Sequence, residues 1–271
     1  MEQDSEFYIG WQATAPTSFV RAVRGIVIGL CVLVPVLAIA IVYYQKGFSN
    51  GTFEYGKMTE LEGVFTAKPF PFLNVANGKD PKGNIVFQKI LMVAPGKFGF
   101  VADSNQLVNG QALKVSGFLI YNDGKTALQV ENISPSSAQS APELTASSSS
   151  QASIITAPTV TLRGEITDPK CLLGVMNPGQ GKPHRDCAVR CISGGLPPVL
   201  KVANADGDTE YYLLADPEGN PINDRILNLV GDGVSLCGRL EQLSDWWVLY
   251  TDPSTIKRIN KATLNPGSMC N

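Results

Sequence analysis

Histidine is almost absent from this chain of 271 residues, and His184 is the only one. A single imidazole excludes sites that need two histidines from one chain and makes the neighbourhood of His184 worth reading closely. Charge is sparse as well: Asp, Glu, Lys and Arg make up 17% of the chain, the net charge is -2, and no basic block occurs outside the flank of one hydrophobic run. Nucleic acid calls for clustered Lys and Arg to replace phosphate counterions, so the charge pattern predicts no nucleic-acid partner. Long helical periodicity is also missing outside that run, and no βαβ alternation is seen. Both absences point to a mainly β fold.

The hydrophobic run is uncharged from 25 to 43, about the length that a helix needs to cross a hydrocarbon core. Arg21 and Arg24 precede it and Lys46 follows, so the local bias predicts a cytoplasmic tail at 1–24, a transmembrane helix at 25–43 held in the lipid bilayer, and the remainder outside. The expected location is a bacterial inner membrane, single-pass, with the C-terminal part in the periplasm. A cleaved signal peptide is the rival reading, because Ala38-Ile39-Ala40 resembles a small-residue cleavage site. Phe7, Tyr8 and Trp11 in the tail suit an interfacial anchor.

Beyond the run the chain repeats itself. Leu61-Glu62-Gly63-Val64-Phe65-Thr66 reads like Leu162-Arg163-Gly164-Glu165-Ile166-Thr167, and Leu91-Met92-Val93-Ala94 like Tyr212-Leu213-Leu214-Ala215. Ala94 to Gly117 and Ala215 to Gly238 are equal intervals, with Gly110 and Gly231 in register. Upstream the intervals differ, Gly164 to Ala215 being longer than Gly63 to Ala94. The surplus falls where the second copy carries Cys171, His184, Cys187 and Cys191. A duplicated scaffold that gains one Cys/His loop places its specialised role there.

Within the copies, 112–121 and 126–133 alternate as half-buried strands do, joined by the turn residues Asn122-Asp123-Gly124-Lys125. The matching stretches of the second copy are 233–240 and 246–250, joined by a polar turn. Residues 134–158 are dominated by Ser, Ala, Pro, Thr and Gln and read as a flexible linker. The division expected is a first module at 59–133, the linker, a second module at 159–260 and a tail at 261–271, the two modules being tethered rather than fused.

Short strands, Gly-containing turns and one long first connection per module resemble the OB-fold. The fold class expected is therefore mainly β: one N-terminal transmembrane helix followed by two tandem OB-like β-barrel modules. This layout is similar to that of the periplasmic haem chaperones of cytochrome c maturation, which carry one membrane helix before an OB barrel. Their haem-attaching histidine follows the barrel, whereas His184 lies inside the first long loop, so that attachment cannot be carried over.

From Pro183 the loop suits a short helix, with Gly194-Gly195 beyond its end. On it His184, Cys187 and Cys191 share a face, and a turn at Pro178-Gly179 can bring Cys171 back to them. Three readings compete. Disulfides suit an oxidising compartment, although five external cysteines leave one unpaired. A metal site of Cys171, His184, Cys187 and Cys191 would take zinc or copper. A reactive thiol would use Cys187 or Cys191 beside His184, Arg185 and Arg190.

The Cys191 spacing from Cys187 also resembles the copper sites of cytochrome oxidase and their membrane-anchored chaperones. The former need two histidines and the latter a thioredoxin-like fold, and neither is present. No Asp or Asn is evidently placed to orient His184; Asp168, Asp216 and Asp224 look like ordinary turn carboxylates. The function expected is extracytoplasmic binding or assembly, as an accessory subunit or maturation factor of a membrane protein complex. The alternative is a thiol- or metal-dependent redox protein.

Overall fold

The computed structural model describes residues 15–44, 51–101, 107–136, 156–203 and 209–259. Phe7, Tyr8, Trp11, Lys46, most of the 134–158 linker and the 261–271 tail with Cys270 lie outside them.

Helix α1 (Thr17–Tyr44) has 28 residues and starts earlier than the uncharged run. At 1.5 Å per residue it is about 42 Å long. Its mean hydropathy reaches 3.0, so by length and composition it can span a membrane. Pro35 lies inside it, and the helix runs unbroken past Ala40.

The first repeat contains β1 (Thr52–Phe53), β2 (Thr59–Thr66), β3 (Phe72–Lys79), β4 (Ile85–Val93), β5 (Ala112–Asn122) and β6 (Lys125–Pro135). Strand β2 pairs with β3, β3 with β4, β4 in parallel with β6, β6 with β5, and β5 returns to β2. Five strands thus close on themselves, with one parallel contact where the chain crosses over. The two-residue turn between β5 and β6 places Asp123 and Gly124 at φ 46° and 72°, as an Asp-Gly hairpin turn requires.

The second repeat contains β7 (Thr156–Thr167), β8 (Val199–Ala203), β9 (Thr209–Ala215), β10 (Gly233–Leu243), β11 (Trp246–Thr251) and the short β12 (Lys257–Arg258). It closes identically: β7 to β8, β8 to β9, β9 in parallel with β11, β11 to β10, and β10 to β7. This is the OB topology twice over. The register of the repeat has a steric basis. A Cβ on Gly117 would stand 2.0 Å from the carbonyl of Gln129, and one on Gly238 would stand 2.3 Å from that of Tyr250. The same strand of each barrel therefore passes its neighbour at the same tight point.

Side-chain alternation along the strands explains how the barrels meet. Ile90 and Met92 of β4 fill the first barrel with Phe65, Leu113 and Leu128, while Leu91 and Val93 face outward and are still fully buried. In the second barrel Leu214 and Leu249 point inward, while Leu213, Ala215, Val248 and Tyr250 point outward. These outer faces, with Phe70, Phe72, Ile120 and Trp246, form one continuous core between the barrels. The expectation of tethered modules is corrected accordingly: apolar residues on both faces of β4 and β9 fuse the barrels.

The seam has an approximate two-fold logic. The β5–β6 turn docks on β9, with the Tyr211 hydroxyl donating to Asp123 Oδ2 at 2.6 Å and Lys125 paired with Glu210 at 2.9 Å. The β10–β11 turn docks on β4, with Ser244 donating to the Phe87 carbonyl and Trp246 Nε1 to that of Lys89.

Candidate metal centre

The repeats differ most in their first connection, which is 67–71 in one barrel and 168–198 in the other. Asp168 follows β7 directly and is fully buried. Its Oδ1 accepts the Cys171 backbone N–H at 2.9 Å, which holds the following turn, Cys171–Val175. The chain then doubles back so closely that a Cβ on Gly179 would stand 2.2 Å from the Cys171 carbonyl. Thr167 Oγ1 fixes this return by donating to the Gly179 carbonyl.

A 3-10 turn at Lys182–His184 leads into helix α2 (Arg185–Ser193), with Pro183 in its first turn and Gly194 at its end. Ala188 and Ile192 of α2 enter the interior of the second barrel. Cys191 faces the core between the barrels, with Cys187 packed against it. Cys187 and Cys191 are one turn apart and share a face. Cys171 arrives opposite them, and the three Sγ atoms all lie within 4.8 Å of one another. Cys171 and Cys191 are buried and Cys187 is half-buried. All three are free thiols, whereas Cys237 is disulfide-bonded.

His184 is 1% exposed, and its Nε2 lies 2.8 Å from Asp168 Oδ2. A carboxylate only accepts, so Nε2 donates to it, and in the neutral ring Nδ1 then holds the lone pair. That Nδ1 is buried without a hydrogen-bond partner among the described residues. His184, Asp168 and Cys171 form a second group of donor atoms within 4.8 Å of one another. The histidine therefore adjoins the thiols on the Cys171 side.

Charge in the cluster is uneven. The Cys171 thiol is pushed far up because it donates to Cys191, with burial and the Asp168 carboxylate adding to the effect. Accepting that hydrogen bond lowers the Cys191 thiol despite its burial, and Lys97 contributes in the same direction.

The first barrel reaches into this site. Lys97, in the turn after β4, donates from Nζ to Cys187 Sγ at 2.7 Å, and this contact raises the lysine pKa. Lys170 lies 3% exposed and donates to the carbonyls of Ala94 and Gly96, which flank the same turn, at 2.9 and 2.8 Å. Burial lowers its pKa. The double glycine makes room for the turn: Gly99 N–H donates to the Gly194 carbonyl, and a Cβ on Gly194 would stand 2.0 Å from the Lys97 carbonyl.

Of the expected set, with His184, Cys187 and Cys191 on one helix face and Cys171 folded back to it, the structure brings Cys171, Cys187 and Cys191 together. It places His184 where the 3-10 turn meets α2, bound to Asp168. The reading of Asp168 as an ordinary turn carboxylate is corrected, since it both caps the Cys171 turn and orients the histidine. That contact closes a loop and has no local spacing to announce it. Lys97 left no trace either, because it lies in the other repeat.

No protein-family model matches the chain, and no curated protein does. Two solved structures of the single-stranded DNA binding protein from Thermus aquaticus resemble it, one a deletion mutant and one wild type. They are 17% and 18% identical, cover 78% of this chain and 96% and 94% of their own, and give TM-scores of 0.22 and 0.23. The expected exclusion of nucleic acid is withdrawn, because those neighbours carry that partner in their names. Likeness at this TM-score assigns no ligand to this chain.

Proposed function

We propose that this protein is a membrane-anchored extracytoplasmic binding protein whose working part is a site for a thiophilic metal ion, zinc or copper. Cys171, Cys187 and Cys191 supply three sulfur donors and His184 Nδ1 the fourth. The observation that carries this reading is the cluster of three free thiols whose sulfurs lie within 4.8 Å of one another; His184 adjoins it at Cys171, with Asp168 holding its Nε2 and its buried Nδ1 without a hydrogen-bond partner among the described residues, as in a histidine that serves as a metal ligand. Three sulfurs with one imidazole suit zinc or copper(I) and disfavour the harder cations.

In this reading α1 holds the barrels at a bacterial inner membrane with the N-terminus inside. The protein serves a membrane complex as an accessory subunit or maturation factor. The likeness to haem chaperones ends at layout, since the one histidine is committed to the thiol loop.

The test uses the full chain in detergent micelles, with metal analysis and thiol counting on the same sample. The expected result is about one zinc or copper per chain, with three thiols protected from alkylation until a chelator is added. If the protein carries no metal, and Cys171→Ser, Cys187→Ser and Cys191→Ser all keep wild-type stability, the reading is wrong.

A further inference from the structure

The three thiols are not equivalent, and the difference suits a second chemistry. Cys171 and Cys191 are 5% and 1% exposed, while Cys187 is half-buried. Lys97, the residue that touches the Cys187 sulfur, is itself exposed and comes from the other barrel. Behind Cys187, Cys171 Sγ stands 3.9 Å away, so closing a disulfide needs an approach of about 2 Å, within reach of side-chain rotation. One thiol a partner can reach, a cation at its sulfur and a second thiol directly behind it are what a two-step exchange requires.

We propose that the metal-free site performs thiol–disulfide exchange on a disulfide presented by a partner protein, with Cys187 attacking and Cys171 resolving. Cys187 Sγ, in contact with Lys97 Nζ, gives its proton to solvent and attacks one sulfur of the partner. A Cys187–partner bond forms, the partner's own S–S bond breaks, and its other sulfur leaves as a thiolate. Cys171 Sγ then attacks Cys187 Sγ, closing a Cys171–Cys187 disulfide and expelling the second partner sulfur. The Cys171 thiol proton passes to a departing thiolate. The partner gains two electrons as this chain loses two, and a dithiol protein restores the reduced pair by the reverse exchange. Cys191, deepest of the three, takes no part in bond formation. This activity goes beyond metal binding and does not depend on it.

The probe is oxidised glutathione, added to the reduced, chelator-treated full chain in detergent micelles and followed by peptide mass mapping. Wild type should form a Cys171–Cys187 disulfide without lasting adduct. Cys171→Ser should accumulate one glutathione on Cys187, and Cys187→Ser should react about tenfold more slowly or worse. A first adduct on Cys171 or Cys191, a disulfide through Cys191, or no reaction at all would overturn the proposal. Should a variant fail to fold, limiting iodoacetamide on wild type decides the point: Cys187 must be labelled first, and any other order counts against it. Metal content of the untreated sample is measured in parallel. Metal without exchange sinks this inference and leaves the metal site standing; exchange without metal does the reverse.

Discussion

Asp168 has two oxygens and a separate task for each: Oδ1 holds the Cys171 turn and Oδ2 holds His184. Substituting Asp168→Asn separates these tasks. The amide can still accept from the Cys171 N–H, but its NH2 turned toward Nε2 drives the ring proton to Nδ1 and removes the lone pair offered to metal. The expected outcome is a metal affinity about 10–100-fold lower with the fold retained, read by competition with a chelator. Unchanged affinity would mean that His184 is not a ligand. At this scale the residue types were legible and their company was not. The cysteines and the histidine stand out by rarity, and the spacing on α2 already pairs Cys187 with Cys191. Asp168 and Lys97 are common residues that matter only through contacts between distant parts of the chain.

Elements show the reverse balance. The glycines of the repeat, the Asp-Gly hairpin and the apolar run were all readable, because each reflects a local steric or solvation rule. What the double glycine after α2 approaches was not readable, since Gly194 lies against a carbonyl of the other barrel. Gly194→Ala should push that turn away and cost about 1–3 kcal/mol in a denaturant titration, and it should weaken metal retention as Lys97 withdraws. A second element-level test is the turn after β9, where the N–H groups of Asn220 and Glu218 donate to the Asp216 carboxylate and lower its pKa, Asn220 most. A carboxyl with a depressed folded-state pKa contributes stability that is fully present above the unfolded value of about 3.9 and is lost as pH falls through the lower folded value. Melting temperature measured against pH should therefore drop through that window in wild type. In Asp216→Asn this part of the drop should be absent, and an unchanged profile would show that the turn does not depend on charge.

For the whole molecule, the decisive feature is the shared core between the barrels. Its constituents were visible as unbroken apolar runs such as Leu91-Met92-Val93, but a run buried on both faces names no partner, and the polar linker suggested independence. Because Leu91, Leu213 and Trp246 belong to one cluster, a cut engineered within 137–150 should leave the barrels associated through gel filtration. Urea should unfold them in a single transition. Two separable fragments with separate transitions would contradict the fusion. Lys97 of the first barrel lies on the Cys187 sulfur of the second, so the first repeat borders the proposed site although all four candidate ligands belong to the second. X-ray absorption on the metal-loaded full chain tests that site most directly. The expected spectrum has three sulfur neighbours at about 2.3 Å and one imidazole nitrogen at about 2.0–2.1 Å, with the nitrogen signal lost in His184→Ala. A shell of oxygen and nitrogen alone, or a spectrum unchanged when Cys171, Cys187 or Cys191 is replaced, would place the metal elsewhere.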